Sequence, residues 1–301
     1  MSKRLTGVFG PLVTTFDGAG AVDLAAFRAN IRAHLASGLD GVVLTGSTGE
    51  GALVDDAERR ALVEAARAEV PADKWLIVAT GAESTRQVLA RNADAARLGA
   101  DAALVVSPHY YTPNMTSEAL RAHFTAVADA SPLPILLYNI PKYTHFAIAP
   151  ALVGELARHP NIHGMKDSSG DLALIEQYLA SQGDAFTVLT GSGQTLAEAM
   201  ALGARGGILG VALFTGALAP QLYGAVVRGD RAEAARLQAV LFPMARDIVG
   251  GMGVAGVKRA LDRVGLSGGP TRSPLLPIDP ASAVALDVLL ADAGLGAPVH
   301  A

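Results

Sequence analysis

Short β-branched apolar runs alternate along the chain with longer, alanine-rich stretches of helical period. The runs are GVFGPLVT (7–14), GVVLT (41–45), WLIVAT (75–80), AALVVS (102–107), PILLYN (134–139), NIHGMK (161–166), FTVLT (186–190) and GGILGV (206–211). Runs this short, bounded by Gly and polar turn residues, read as strands buried on both faces. Between each pair lies room for one crossover helix. Asp55, Asp56 and Glu58 open one that Pro71 closes, and Ser84 opens another that Gly99 closes. Regular strand–helix repetition predicts parallel pairing with right-handed crossovers.

Eight such units ending near residue 228 fit an α/β fold of the (β/α)8, or TIM, barrel class over residues 1–228. The alternative, an open doubly wound sheet, usually stops at about five or six strands. Residues 229–301 read as a C-terminal helical extension. Its three expected helices centre on RAEAARLQAVLFPMARDIV, GVAGVKRALDRVG and PASAVALDVLLADAG, packed on the barrel or on a neighbouring subunit.

Composition narrows the partners. A formal net charge of -4 over 301 residues, without runs of like charge, leaves no footprint for nucleic acid and no basic face for a membrane. A small-molecule partner is expected. The absence of cysteine excludes disulfides and thiolate metal sites and is compatible with the cytoplasm. The start, MSKRLTGVFGPLVTTF, breaks at Gly7, Gly10 and Pro11 before an apolar core forms, unlike a signal peptide. No window of about 18 uninterrupted apolar residues predicts a transmembrane helix.

Barrels of this class place their chemistry at the carboxyl ends of the strands. Here those ends read TGSTGEG, SPHYYTP, YNIP, KDSSG and TGSG, which offer hydroxyls, glycine-exposed N–H groups, tyrosines and one lysine. Alternation puts Lys166 on the same side of its strand as Ile162 and Gly164, pointing into the barrel. Burial strips an ammonium of hydration and favours the free amine. A free amine attacks ketones to give a Schiff base, an electron sink for making or breaking the adjacent carbon–carbon bond. The competing role for Lys166 is a salt bridge to Asp167 or another barrel carboxylate. Lys3, Lys74 and Lys258 lie elsewhere, and only Lys142 competes for the site.

Tyr138 ends the neighbouring strand, where its phenol suits proton relay or an ordinary core role. Tyr110 and Tyr111 share that ambiguity, and one of them must face outward. Ser47 and Thr48 offer hydroxyls and N–H groups to a small carboxylate at a helix start near Val54. GSTGEG matches neither phosphate-loop nor dinucleotide spacing, and Gly191 and Gly193 either expose N–H groups or make a tight turn. Of the histidines His34, His109, His123, His145, His159, His163 and His300, only His159 and His163 have helical spacing. Pro160 between them spoils a shared face, so no metal site is expected. The G-x-S-x-G nucleophile elbow is absent.

Taken in order, GSTGE, SPHYY, YNIP, GMKDSSGD and LTGSG resemble the dihydrodipicolinate synthase and N-acetylneuraminate lyase superfamily of Schiff-base aldolases. The resemblance runs from GVFGPLVTTFDGAGAVD to GGPTRSPL, most of the chain. It implies Lys166 as the Schiff-base lysine with no separate cofactor, Tyr138 as the proton-handling phenol, and Thr48 and Tyr110 completing the relay, Tyr110 from across a dimer interface. It also implies Ser47 and Thr48 holding the pyruvate carboxylate, the Ile208 carbonyl bordering the site, and a homotetramer built as paired dimers.

The resemblance has one departure. Synthases that condense pyruvate with aspartate semialdehyde carry an arginine shortly after YN-P, where this chain has Tyr143 beside Lys142. SPHYYTP, ASPLPILLY, GMKDSSGD and GGPTRSPL look closest to 4-hydroxy-2-oxoglutarate aldolases, which implies a lyase giving pyruvate and an aldehyde such as glyoxylate. The alternatives are the synthase, an aldolase or dehydratase of 2-keto-3-deoxy sugar acids, an oxo-acid-binding scaffold without catalysis, and a phosphate-binding isomerase barrel.

Overall fold

The computed structural model describes residues 3–296, so His300 and the last residues of the expected extension lie outside it. Eight parallel strands close into a barrel in chain order: β1 (Gly7–Pro11), β2 (Gly41–Leu44), β3 (Trp75–Ala79), β4 (Ala102–Val106), β5 (Ile135–Asn139), β6 (Ile162–Asp167), β7 (Thr187–Thr190) and β8 (Gly206–Ile208). Each lies within a run read from the sequence or passes it by one residue. The β8–β1 pairing, Val8 opposite Gly207, excludes the open sheet.

Two apolar layers follow from strand alternation. Phe9, Val43, Ile77, Leu104, Leu136, Tyr138, Leu189 and Ile208 fill the barrel. Val8, Val42, Val78, Val105, Leu137, Met165 and Val188 face the helices. Ile162 corrects the expected alternation. It belongs to the outer layer, because the β5–β6 register slips so that Ile135 opposes Ile162 while Leu136 opposes Gly164. A bulge at His163 resets the phase, so Gly164 and Lys166 face inward while Ile162 does not.

The helix boundaries follow their caps. Asp55 and Glu58 form a reciprocal capping box at the start of Asp56–Glu69, and the Ser84 side chain accepts from the Gln87 N–H at the start of Thr85–Arg97. In the extension, Arg231–Pro243 and Gly253–Arg263 are one run joined through π-helical turns at Met244–Met252, where two separate helices were expected. Pro243 contributes no N–H and Gly250, Gly251 and Gly253 loosen the backbone, so the helix widens and continues. Pro280–Asp292 completes the extension.

By length and composition, Arg231–Arg263 is apolar enough to cross a bilayer, at a mean hydropathy of 1.3 over its best window. Charges such as Arg246 and Asp247 interrupt the run, so it contains no unbroken apolar stretch of spanning length. Leu237, Leu241, Met244, Ile248, Val257 and Leu261 from this run are buried in the outer layer against the barrel.

Candidate active site

Tyr138 and Lys166 stand opposite each other in the β5–β6 register, and both point into the barrel. Lys166 Nζ donates to the Tyr138 hydroxyl at 3.2 Å and lies 4.4 Å from the centre of the phenol ring. Lys166 is 6% exposed and Tyr138 3%. Among the described residues, no carboxylate lies within 4.0 Å of Lys166 Nζ. Asp167, one residue on, faces away, as alternation requires. It accepts from Asn139 Nδ2 at 2.7 Å and from Ser169 Oγ at 2.6 Å. Burial pushes the Asp167 carboxyl up, and the hydrogen bonds from Ser169 and Asn139 oppose that push. The salt-bridge role for Lys166 therefore has no partner, since Asp167 is committed elsewhere.

The turn after β2 brings Ser47 and Thr48 to the same place. Thr45 and Glu50, at φ 51° and 53°, bracket it in the left-handed region, at a cost of about 1 kcal/mol each. Between them, the Glu50 N–H donates to the Ser47 carbonyl at 3.2 Å, and Thr14 Oγ1 donates to the Gly49 carbonyl at 2.6 Å. A Cβ at Gly51 would collide with the Thr45 carbonyl oxygen, so the tight winding requires glycine there. Ser47 Oγ ends 3.5 Å from the Tyr138 hydroxyl.

Gly191 follows β7, where its N–H donates to the Asp167 carbonyl at 2.5 Å. A Cβ at that position would overlap Ser168 Oγ and sit 2.9 Å from Lys166 Cε. Ser168 and the Lys166 stem together leave no room for a side chain at this position.

These residues border one cavity of about 550 Å³, lined by Lys166, Tyr138, Ser47, Thr48, Gly191, Ile208 and Tyr143. Seven of the positions singled out from the sequence thus converge. Tyr110 does not. It is 76% exposed and packs edge-on against Tyr111, which is 65% exposed, so both tyrosines of the pair face outward in the single chain. Glu83 holds their loop, accepting from the His109 and Tyr110 N–H groups at 2.9 and 2.8 Å. A second cavity shares Ser47 and Tyr138 and extends past Arg59 and His109.

Tyr143 is 44% exposed at the cavity, and its phenol is pushed up by the desolvation of its inner part and by the neighbouring Tyr138. Lys142 Nζ donates to the Gly250 carbonyl at 2.8 Å, across the cavity mouth. His159 is bonded to Asp129 and His163 to the Pro160 carbonyl.

Sequence reasoning missed one wall of the cavity. Ala245, Val249, Val254 and Val257 come from the extension and Gln194 from the turn after β7, and they meet Ser168 of the KDSSG strand end. Apolar residues on a helix read as core, and nothing local distinguishes a cavity wall from packing. The glycines at 250, 251 and 253 were the one available signal, because they let the helix open over the barrel mouth.

Residues 4–293 match the model of the dihydrodipicolinate synthetase family. A 4-hydroxy-tetrahydrodipicolinate synthase from Exiguobacterium sibiricum is 38% identical over 266 residues, covering 88% of this chain and 90% of the relative. One from Xanthomonas axonopodis pv. citri is 38% identical over 289 residues, covering 96% and 95%. Among solved structures, the chloride-inhibited dihydrodipicolinate synthase from Acinetobacter baumannii complexed with pyruvate superposes with a TM-score of 0.92 at 29% identity, covering 97% of this chain and 100% of the other.

Proposed function

The chain belongs to the dihydrodipicolinate synthetase family of pyruvate-dependent class I aldolases, and on that premise we propose that Lys166 forms a Schiff base with pyruvate and joins it to an aldehyde. The observation that carries the reading is a buried lysine whose amine contacts a phenol and no carboxylate. The amine attacks the C2 carbonyl of pyruvate, and loss of water from the carbinolamine leaves the iminium, which gives up a methyl proton to become the enamine nucleophile. Tyr138 gives and takes the protons of these steps, backed by the Ser47 hydroxyl. Ser47 and Thr48 hold the carboxylate, and the covalent lysine replaces a cofactor.

For the second substrate, the relatives named above favour aspartate semialdehyde, and the reading moves to the synthase from the 4-hydroxy-2-oxoglutarate aldolase branch that the motifs favoured. One observation keeps the aldolase as a second reading. The cavity carries Tyr143 and Lys142 where a synthase is expected to offer an arginine, and no arginine lines it among the described residues.

The test has two parts. Intact mass after pyruvate and borohydride should gain one reduced pyruvate in the wild type and nothing in Lys166→Ala; an unmodified wild type sinks the Schiff-base reading. Turnover is then compared with pyruvate plus aspartate semialdehyde and with 4-hydroxy-2-oxoglutarate. Faster cleavage of the latter returns the assignment to the aldolase.

A further inference from the structure

The most thoroughly buried ion pair among the described residues lies outside the catalytic cavity. Lys258 Nζ stands 2.5 Å from Glu50 Oε1, with side-chain exposures of 2% and 0%. Taking two charges out of water is expensive, and such a pair adds little net stability over apolar packing. What it holds in place is the better account of its presence.

Glu50 is gripped from two parts of the extension. Lys258 reaches it from the helix Gly253–Arg263 while also donating to the Pro270 carbonyl at 2.7 Å and lying over the Phe16 ring. The backbone N–H of Arg272 donates to Glu50 Oε2 at 2.8 Å. Arg272 is itself anchored by both carboxylate oxygens of Glu58, at 2.6 Å each. The held residue closes the turn that presents Ser47 and Thr48, through its left-handed backbone and its N–H bond to the Ser47 carbonyl. Val257, next to Lys258 in sequence, lines the catalytic cavity, so one turn of helix both walls the site and grips the turn.

We propose that Lys258 is a positioning residue: acting through Glu50, it fixes the Thr45–Glu50 turn so that Ser47 and Thr48 meet the substrate carboxylate, and the C-terminal extension thereby sets affinity for the first substrate. The proposal rests on pyruvate being that substrate. Lys258 touches neither the cavity nor Lys166 and does no chemistry. Losing the pair lets the turn relax toward ordinary backbone angles and moves both hydroxyls, while the Lys166–Tyr138 contact, built on β5 and β6, stays.

The experiment measures the pyruvate concentration that half-saturates borohydride trapping, beside the melting temperature, for wild type, Lys258→Met, Glu50→Gln and Lys258→Arg. Losing a hydrogen bond to a charged carboxylate costs roughly tenfold to a hundredfold in affinity, so half-saturation should rise about tenfold or more in Lys258→Met and Glu50→Gln. Lys258→Arg keeps a cation beside Glu50 and should recover most of the loss. A pair with only a structural role would lower the melting temperature and leave half-saturation at the wild-type value in the folded variants, and that result overturns the proposal. Should Lys258→Met fail to fold, Glu50→Gln decides by the same criterion. A wild type that traps no pyruvate overturns the functional reading instead, and is recognised before any variant is compared.

Discussion

Lys166 Nζ and the Tyr138 hydroxyl meet at 3.2 Å because their residues occupy opposed positions on adjacent parallel strands of a closed barrel. The pairing is set by the register, and both side chains are buried, so neither needs a loop to hold it. The phenol is the one proton carrier in contact with the amine among the described residues.

Tyr138→Phe removes that carrier and keeps the ring on which Lys166 lies. Loss of a positioned acid–base group should lower kcat by about 100- to 10,000-fold. The fold should persist, since among the described residues the hydroxyl bonds only to Lys166 and Ser47. Single-turnover trapping should show slow adduct formation at full final yield. An unchanged rate would move proton transfer to another group.

Gly191→Ala tests the close approach. The added methyl would overlap Ser168 Oγ and press on Lys166 Cε at 2.9 Å. Lys166 and Ser168 must shift, so the rate of pyruvate trapping should fall by roughly tenfold to a hundredfold, the usual result of misplacing a reacting group. Circular dichroism should remain that of the wild type. A trapping rate equal to wild type would mean the loop yields without moving the lysine.

How far the site was legible follows from where its residues sit. Lys166, Tyr138, Ser47, Thr48 and Gly191 lie at or just after strand ends, and strand ends in a barrel converge by geometry, so period and sequence order were enough to assemble them. Ile162 was misplaced because a one-residue bulge leaves no mark on an alternating pattern. Glu50 and Lys258 were noticed only as parts of a turn and a late helix. Their pairing spans more than two hundred residues of chain, and no local pattern encodes a contact of that kind.

Stability should fall on mild acidification. Burial lowers His34 and His123 from 6.5 to about 4. Each is then neutral in the folded chain and protonated in the unfolded chain between those values. The unfolded state binds more protons there, so stability drops as pH falls from 6.5 towards 4, by up to about 3 kcal/mol per histidine. The melting temperature should decline between pH 6.5 and 5, above the range where most carboxylates titrate. In His34→Gln that slope should flatten, and an equal slope would assign the acid sensitivity to other groups.

Tyr143→Arg addresses the second substrate. Tyr143 borders the cavity beside Lys142, whose ammonium is turned to the Gly250 carbonyl at 2.8 Å. A guanidinium at position 143 offers a planar fork that matches a carboxylate, which a phenol cannot do and a lysine does only as a point charge. Charge-assisted hydrogen bonds of this kind contribute about 1.5–3 kcal/mol, so KM for aspartate semialdehyde should fall by roughly tenfold or more if that aldehyde enters with its carboxylate towards Tyr143. Half-saturation by pyruvate, bound deeper against Ser47 and Thr48, should not change. A KM that stays put, with kcat lowered, would mean that the native aldehyde presents something other than a carboxylate to this wall. Ser168 and Gln194, polar residues lining the same cavity, would then be the groups to vary next.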